Sequence, residues 1–173
     1  NTLTQYNGQI WAGGVFTLTG AVSTRFVSHW TGSAWATDAN SPNNTVTALE
    51  TYNGRLWAGG AFPVSAAGDT LNNLANFDGT TWRANAFGFG AIGAGTVYCY
   101  GVYNGELYVG GLFASIGGKV AANIAKWNGE GWTALGSGTN GTVFCLGVYN
   151  NILYAGGAFT TAGGATANRI ASW

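Results

Sequence analysis

Few side chains in this sequence can do chemistry, and their types and spacing restrict which chemistry is open to them. Among 173 residues there are six Lys plus Arg, six Asp plus Glu and one histidine. His29 stands beside Trp30; alone it cannot supply a multi-histidine metal site, and a hydrogen-bonded structural role suits it better than general-base catalysis. Glycoside hydrolysis needs two carboxyl groups flanking one bond. Asp38, Glu50, Asp69, Asp78, Glu106 and Glu130 are scattered, and their order picks out no such pair and no closely spaced calcium loop. Cys99 and Cys145 occupy matching stretches, TVYC and TVFC, and read as small buried apolar residues. Bridging them would require Cα atoms within about 7 Å, so two free thiols are expected. The inventory therefore predicts no catalytic residue, no cofactor-binding residue and no metal ligand.

Composition narrows the partners. Net charge is zero, which leaves out the positive footprint that nucleic acid or an anionic membrane surface selects. No apolar run approaches the roughly 18 residues of a membrane span, so direct membrane insertion is not expected. The opening NTLTQYNG has neither the basic nor the hydrophobic region of a signal peptide, so any export signal would lie outside this sequence. Hydrophobic residues nevertheless make up 47% of the chain and aromatics 14%, enough to offset chain entropy and fold. A surface this poor in charge relies on Asn, Thr, Ser and Gln, a balance that points to an extracellular, cell-surface or virion setting.

The few reactive groups sit on a repeating frame. Tyr6-Asn7-Gly8, Tyr52-Asn53-Gly54, Tyr103-Asn104-Gly105 and Tyr149-Asn150-Asn151 recur at spacings of 46, 51 and 46 residues. Each precedes a glycine pair, in QIWAGGVF, RLWAGGAF, ELYVGGLF and ILYAGGAF, and then a third landmark carrying Trp30, Phe77, Trp127 or Trp173. A fourth opens at Trp35, Trp82 and Trp132 and is missing from the last cassette. Asn-Gly between apolar runs is a strong hairpin signal, because the primed turns need positive φ at both central residues. Each cassette thus reads as strand, Asn-Gly turn, strand, Gly-rich loop, strand, short turn, strand. The first strand, apolar on both sides in Val97 to Tyr103, reads as an innermost strand buried on both faces.

The expected fold is all-β, a β-propeller of four-stranded antiparallel blades. About four blades fall in this chain, at 1–43, 44–93, 94–140 and 141–173 within one repeat domain, and the last lacks its outer strand. The pattern YNGxLYAGGAF, then NxIAxWNG and GWTALGSGTNG, resembles the kelch-like and Rax2-like propeller repeats of secreted or surface-anchored proteins. That resemblance implies a propeller and leaves function open, since such arrays are attached to many different proteins. Phe77-Asp78-Gly79-Thr80-Thr81-Trp82 is similar to the Asp-box turn of sialidase propellers but lacks one residue between Asp and Gly, so Asp78 is read as a turn cap.

Periodic aromatics such as Trp11, Trp57, Tyr108 and Tyr154 are read as core. The candidates for ligand contact are aromatics outside that period: Phe26, Tyr98, Tyr100 and Phe144. Phe87, Phe89 and Ile92, in the glycine-rich stretch that lengthens the second spacing, form a candidate contact loop. Asn43-Asn44-Thr45 and Asn140-Gly141-Thr142 match the N-glycosylation acceptor pattern. The function expected is a non-enzymatic interaction scaffold binding a protein or glycan through blade-connecting loops, with self-association or membership of a larger ring. The alternatives are a virion or appendage subunit and a carbohydrate-binding propeller, lectin or glycoside hydrolase.

Overall fold

The computed structural model describes residues 1–19, 22–84 and 95–173. These residues form strands, turns and loops without a helix, so no helix is long and apolar enough to cross a membrane. The chain divides into two compact units, Asn1–Ala86 and Phe87–Trp173. In the first unit, one antiparallel sheet orders Thr2–Tyr6, Gln9–Gly13, Val27–Trp30 and Trp35–Ala36; a second orders Val46–Tyr52, Arg55–Gly60, Leu74–Phe77 and Trp82–Arg83. In the second unit, the third sheet orders Thr96–Tyr103, Glu106–Leu112, Ile124–Trp127 and Trp132–Ala134. The fourth has three strands, Val143–Tyr149, Ile152–Gly157 and Ile170–Ser172, and lacks a counterpart to the outer strand of the others.

The hairpins form where the Asn-Gly pairs place them. Asn7 and Gly8 have φ of 48° and 75°, and Asn150 and Asn151 of 48° and 56°, the left-handed geometry that a primed turn requires. The glycine pair that follows does steric work. A Cβ on Gly13 would lie 2.6 Å from Val46 Cγ1, and one on Gly110 would lie 2.6 Å from Val143 Cγ1, so within each unit the next sheet's first strand enters this gap. At the second glycine of the pair, Gly60, Gly111 or Gly157, a Cβ would collide with the carbonyl oxygen of Thr45, Thr96 or Thr142, at the start of the same sheet's first strand or just before it.

Sheets pack face to face inside each unit. Tyr6, Trp11 and Val27 of the first sheet meet Leu49, Leu56, Phe77 and Trp82 of the second in one buried cluster, with Trp11 and Phe77 ring centroids 5.3 Å apart. Ile124 of the third sheet meets Val143 and Ala155 of the fourth, with Cys99 and Leu146 against them. The Tyr6 hydroxyl donates to the Gly54 carbonyl at 3.3 Å, and the equivalent Tyr103 hydroxyl donates to the Asn151 carbonyl at 3.0 Å. One hydrogen bond thus recurs with the same placement in both units.

Four features depart from the sequence reading. The glycine-rich loops contain two-residue ribbons, Leu18–Thr19 with Val22–Ser23, Ser115–Ile116 with Lys119–Val120, and Thr161–Ala162 with Ala165–Thr166; strands this short carry no alternation to read. The first strands of the third and fourth sheets are not buried on both faces: Val102 of the third, and Phe144, Cys145, Val148 and Tyr149 of the fourth, are exposed. Cys145 is therefore an exposed thiol and not a core residue, because its side of the sheet is open; both cysteines are free. Among the periodic aromatics, Trp11, Trp57, Phe77, Tyr108 and Trp127 are buried, whereas Trp30 is exposed and Tyr154 and Trp173 are only half-buried.

The close approach at the first glycine gives a stability test. Gly110→Ala has to displace Val143 or the Cys99 sulfur, itself 2.7 Å from the new methyl, and is expected to cost about 1–3 kcal/mol in urea unfolding. Gly131→Ala, just after the exposed turn at Asn128 to Glu130, meets nothing within 4 Å, and should stay within about 0.5 kcal/mol of the parent chain.

Candidate functional site

Strand register places one constant aromatic opposite one variable side chain in every sheet. Trp11 faces His29, Trp57 faces Asn76, Tyr108 faces Lys126 and Tyr154 faces Ser172. The aromatic sits on the second strand of its cassette and the partner on the third, so both project on one side of the sheet. The start of the second strand varies too, and in the second and third sheets its side chain joins the set. Arg55 Nη1 donates to Asn76 Oδ1 at 2.9 Å, and Lys126 Nζ lies 2.8 Å from Glu106 Oε2, which also accepts from the Tyr108 hydroxyl at 3.1 Å. Lys126 hydrogen bonding holds the Glu106 carboxyl below its usual range against the opposing effect of burial. Burial, reinforced by Glu106, pushes the Tyr108 hydroxyl up to about 12, so it remains a hydrogen-bond donor.

In the first sheet this position opens into a cleft of about 110 Å³ lined by Tyr6, Asn7, Gln9, Trp11, His29 and Asp38, with Phe77 and Gly79 opposite. The His29 ring lies over Trp11 at 4.5 Å, and its Nδ1 is 3.8 Å from Asp38 Oδ2, both atoms being buried. Burial pushes the Asp38 carboxyl above its usual range; the neighbouring His29, its own backbone and the nearby Trp82 indole act the other way without reversing the shift. Small-molecule pockets usually run to 300–1,000 Å³, so this cleft takes a single polar group and not a whole substrate. The lining offers one carboxylate, where glycoside hydrolysis uses two. Its donors and acceptors suit hydrogen bonding to one neutral polar group.

A larger groove of about 420 Å³ in the second unit is lined by Gly95, Leu112, Phe113, Ala114, Ser115 and their neighbours Ala122 and Asn123. Nothing in that lining titrates. Among the described residues, no group of three His, Cys, Asp or Glu side chains is arranged to hold a metal ion. Burial pushes the Cys99 thiol up to about 12, which withholds the thiolate that a nucleophile needs.

The aromatics singled out from the sequence separate into three environments. Phe26 is half-buried against the first unit's core and Tyr100 is buried, so neither offers a free ring face. Tyr98 and Phe144 come together, edge to face at 5.7 Å, with Phe144 exposed. Both stand at β-bulges, between Val97 and Cys99 and between Val143 and Cys145, as Thr47 does between Val46 and Ala48. A bulge re-aims one side chain out of the alternation, which is why two residues of adjacent repeats converge. Phe87, Phe89 and Ile92 lie outside the described residues.

Asp78 acts as the turn cap expected of it. Its Oδ1 accepts from Thr80 N at 3.0 Å, Thr80 Oγ1 at 2.7 Å and Thr81 N at 2.9 Å. Asn128 does the same in the third sheet, accepting from the backbone N–H groups of Glu130 and Gly131. Of the glycosylation acceptors, Asn140 is committed to the fold, since its side chain accepts from Thr160 N and Thr161 N and donates to Thr160 Oγ1. Sequence reasoning assigned no role to Asn123. It has φ of 64°, accepts from Phe113 N and donates to the Thr139 carbonyl, tying the third sheet to the segment that leads into the fourth. Its signal in the sequence is the Asn that opens the NIAKW landmark. No family model matches the chain, and no curated protein is significantly similar to it.

Two pH-dependent outcomes follow from these environments. The hydrogen bonds from Thr80, led by its hydroxyl, and from the Thr81 N–H hold the Asp78 carboxyl down to about 2, below its value in the unfolded chain, so its stabilisation is present above roughly pH 4 and lost as pH falls toward 2. Asp78→Ala is expected to cost on the order of 1 kcal/mol at pH 7, with the difference from the parent chain closing in acid; urea titrations at several pH values check it. Asp38 runs the opposite way. A raised folded-state pKa means that ionisation disfavours the fold, so Asp38→Asn should raise the unfolding midpoint at pH 7 and leave it unchanged well below pH 4.

Proposed function

We propose that this chain is a β-propeller repeat module of the kelch-like kind, working as a non-enzymatic interaction scaffold at an extracellular or cell surface. One observation carries the reading: the same sheet position keeps its aromatic, Trp11, Trp57, Tyr108 or Tyr154, while the residue opposite changes from His29 to Asn76, Lys126 and Ser172. The constant residue serves packing, and the variable one changes the polar group beside it, buried at Asn76, half-buried at His29 and Lys126 and exposed at Ser172. A rigid frame with variable side chains and loops supplies specificity without reactive groups. Scarcity of charge agrees with this role, because such a surface recognises partners by shape and hydrogen bonding.

A glycan is the partner class that the cleft at Gln9, His29 and Asp38 favours, since one sugar hydroxyl fits its volume and can hydrogen-bond to these polar side chains. A diverse glycan array read beside a panel of chromogenic glycosides separates the roles. A scaffold gives no turnover on any glycoside. If the cleft receives sugar, any array signal falls at least about tenfold on His29→Ala, the loss of one good hydrogen-bonding contact, with thermal stability retained as the control. Steady hydrolysis that disappears with Asp38→Asn would replace the scaffold reading by a glycosidase.

A further inference from the structure

Five Asn-Gly pairs stand in the sequence, Asn7-Gly8, Asn53-Gly54, Asn104-Gly105, Asn128-Gly129 and Asn140-Gly141, and the fold treats them in two ways. Asn is a thermolabile residue, most of all before glycine, whose nitrogen has no adjoining side chain to shield it. That nitrogen attacks the Asn Cγ. The N–Cγ bond forms, the Cγ–Nδ2 bond breaks, the glycine N–H proton passes to solvent base and Nδ2 leaves as ammonia. Water then opens the cyclic imide on one side or the other, leaving aspartate or isoaspartate. Nothing beyond water is consumed, but the Asn side chain must be free to swing over the next nitrogen.

Three pairs meet that need. Tyr6 pairs with Gln9, Tyr52 with Arg55 and Tyr103 with Glu106 at the ends of their ladders, so the Asn and Gly between them are the loop of a two-residue hairpin. All six loop residues are exposed, and a Cβ on Gly8, Gly54 or Gly105 would meet nothing within 4 Å. Asn7 shares one hydrogen bond, with the Tyr6 hydroxyl. The other two pairs are held. Asn128 Oδ1 accepts from Glu130 N at 3.0 Å and Gly131 N at 2.9 Å. Asn140 Oδ1 accepts from Thr160 N at 2.8 Å and Thr161 N at 2.9 Å, while its Nδ2 donates to Thr160 Oγ1 at 2.8 Å. A Cβ on Gly141 would also collide with the Ala158 carbonyl oxygen. Asn128 and Asn140 therefore give up two or three hydrogen bonds before they can react. The fourth hairpin supplies a comparison within the molecule: Asn150 and Asn151 take φ of 48° and 56°, close to the 48° and 75° of Asn7 and Gly8, but the second residue carries a side chain that shields its nitrogen.

We infer that Asn7, Asn53 and Asn104 are sites of spontaneous deamidation in the folded protein, and that the fold protects Asn128 and Asn140 from the same reaction. Each event adds a negative charge to a chain of net charge zero. Isoaspartate also lengthens the main chain inside the two-residue turn that sets the hairpin. Asn7 lines the cleft that holds His29 and Asp38, so there the new carboxylate changes the charge of that site. These turns react whether or not the cleft binds a partner.

Incubation of the chain over days in warm buffer at about pH 8, followed by peptide mass mapping for the gain of one dalton at each Asn, tests this; ion exchange counts the acidic species. Asn53 and Asn104 should react fastest, with Asn7 close behind. Asn128, Asn140 and Asn150 should react at least about tenfold more slowly, since two or more hydrogen bonds, or a shielded nitrogen, stand in the way. In guanidinium chloride all five Asn-Gly pairs should react at similar rates, because the unfolded chain keeps none of those bonds. Folded-state rates at Asn128 or Asn140 that equal those at Asn53 and Asn104 overturn the inference, as do rates at Asn7, Asn53 and Asn104 no higher than at Asn150. Slow reaction at Asn128 and Asn140 that persists in denaturant also overturns it, by placing the protection in the flanking sequence and not in the fold.

Discussion

The approach of one sheet's first strand to the glycine pair of its neighbour is the constraint on which the rest of each unit depends. At Gly13 and at Gly110 the incoming valine stands where a side chain would otherwise project. Only a bare backbone lets the faces close far enough for Trp11 to reach Phe77 and for the Tyr6 hydroxyl to reach the turn of the next sheet. Dispersion falls steeply with a gap of even half an ångström, so the hydrophobic gain of the whole face follows from this one contact. The second glycine of the pair, tight against the carbonyl of its own sheet's first strand, holds the hairpin that delivers the first.

That packing also governs the chemistry. A face closed on an indole or a phenol excludes water, and a charge placed there has to find a partner or resist ionising. Lys126 finds Glu106, Arg55 finds a neutral amide in Asn76, and Asp38, with His29 at a stretched 3.8 Å, is held toward its protonated form. The same position therefore tolerates an ion pair, an amide, a histidine or a hydroxyl, provided the aromatic beneath it is kept. Variation is confined to a place where it leaves the frame intact.

The frame was legible in the sequence because its determinants are local and repeated. Asn-Gly turns, glycine pairs and the landmark aromatics fix strand order and hairpin geometry within each cassette, and Asp78 as a turn cap needs only its next three residues. What could not be read depends on juxtaposition. His29 meets Asp38 through the bend after the third strand, and Tyr98 meets Phe144 because bulges in two strands turn both outward. Periodicity made Cys145 look like core, since it aligns with Cys99 and with Ala48, which is buried. The repeat reports which face a residue occupies, but whether that face is covered depends on the sheet beside it.

In the first unit the two faces that meet are unlike, Tyr6, Trp11 and Val27 on one sheet and Leu49, Leu56, Phe77 and Trp82 on the other, and this makes the packing directional. Two identical faces would pair and stop. Unlike faces leave a free half after every union, as in other repeat architectures where stability comes from neighbour contacts. Nothing in the local contact counts sheets, because Val46 at Gly13 and Val143 at Gly110 make the same junction. Many proteins end such growth by placing charge on the outward surface. Here Leu3, Ile10, Tyr149 and Ile170 are exposed apolar side chains at the repeat positions that Leu49, Leu56, Tyr6 and Val27 hold in a buried contact, so the neighbouring sheet, and not the residue type, sets their burial.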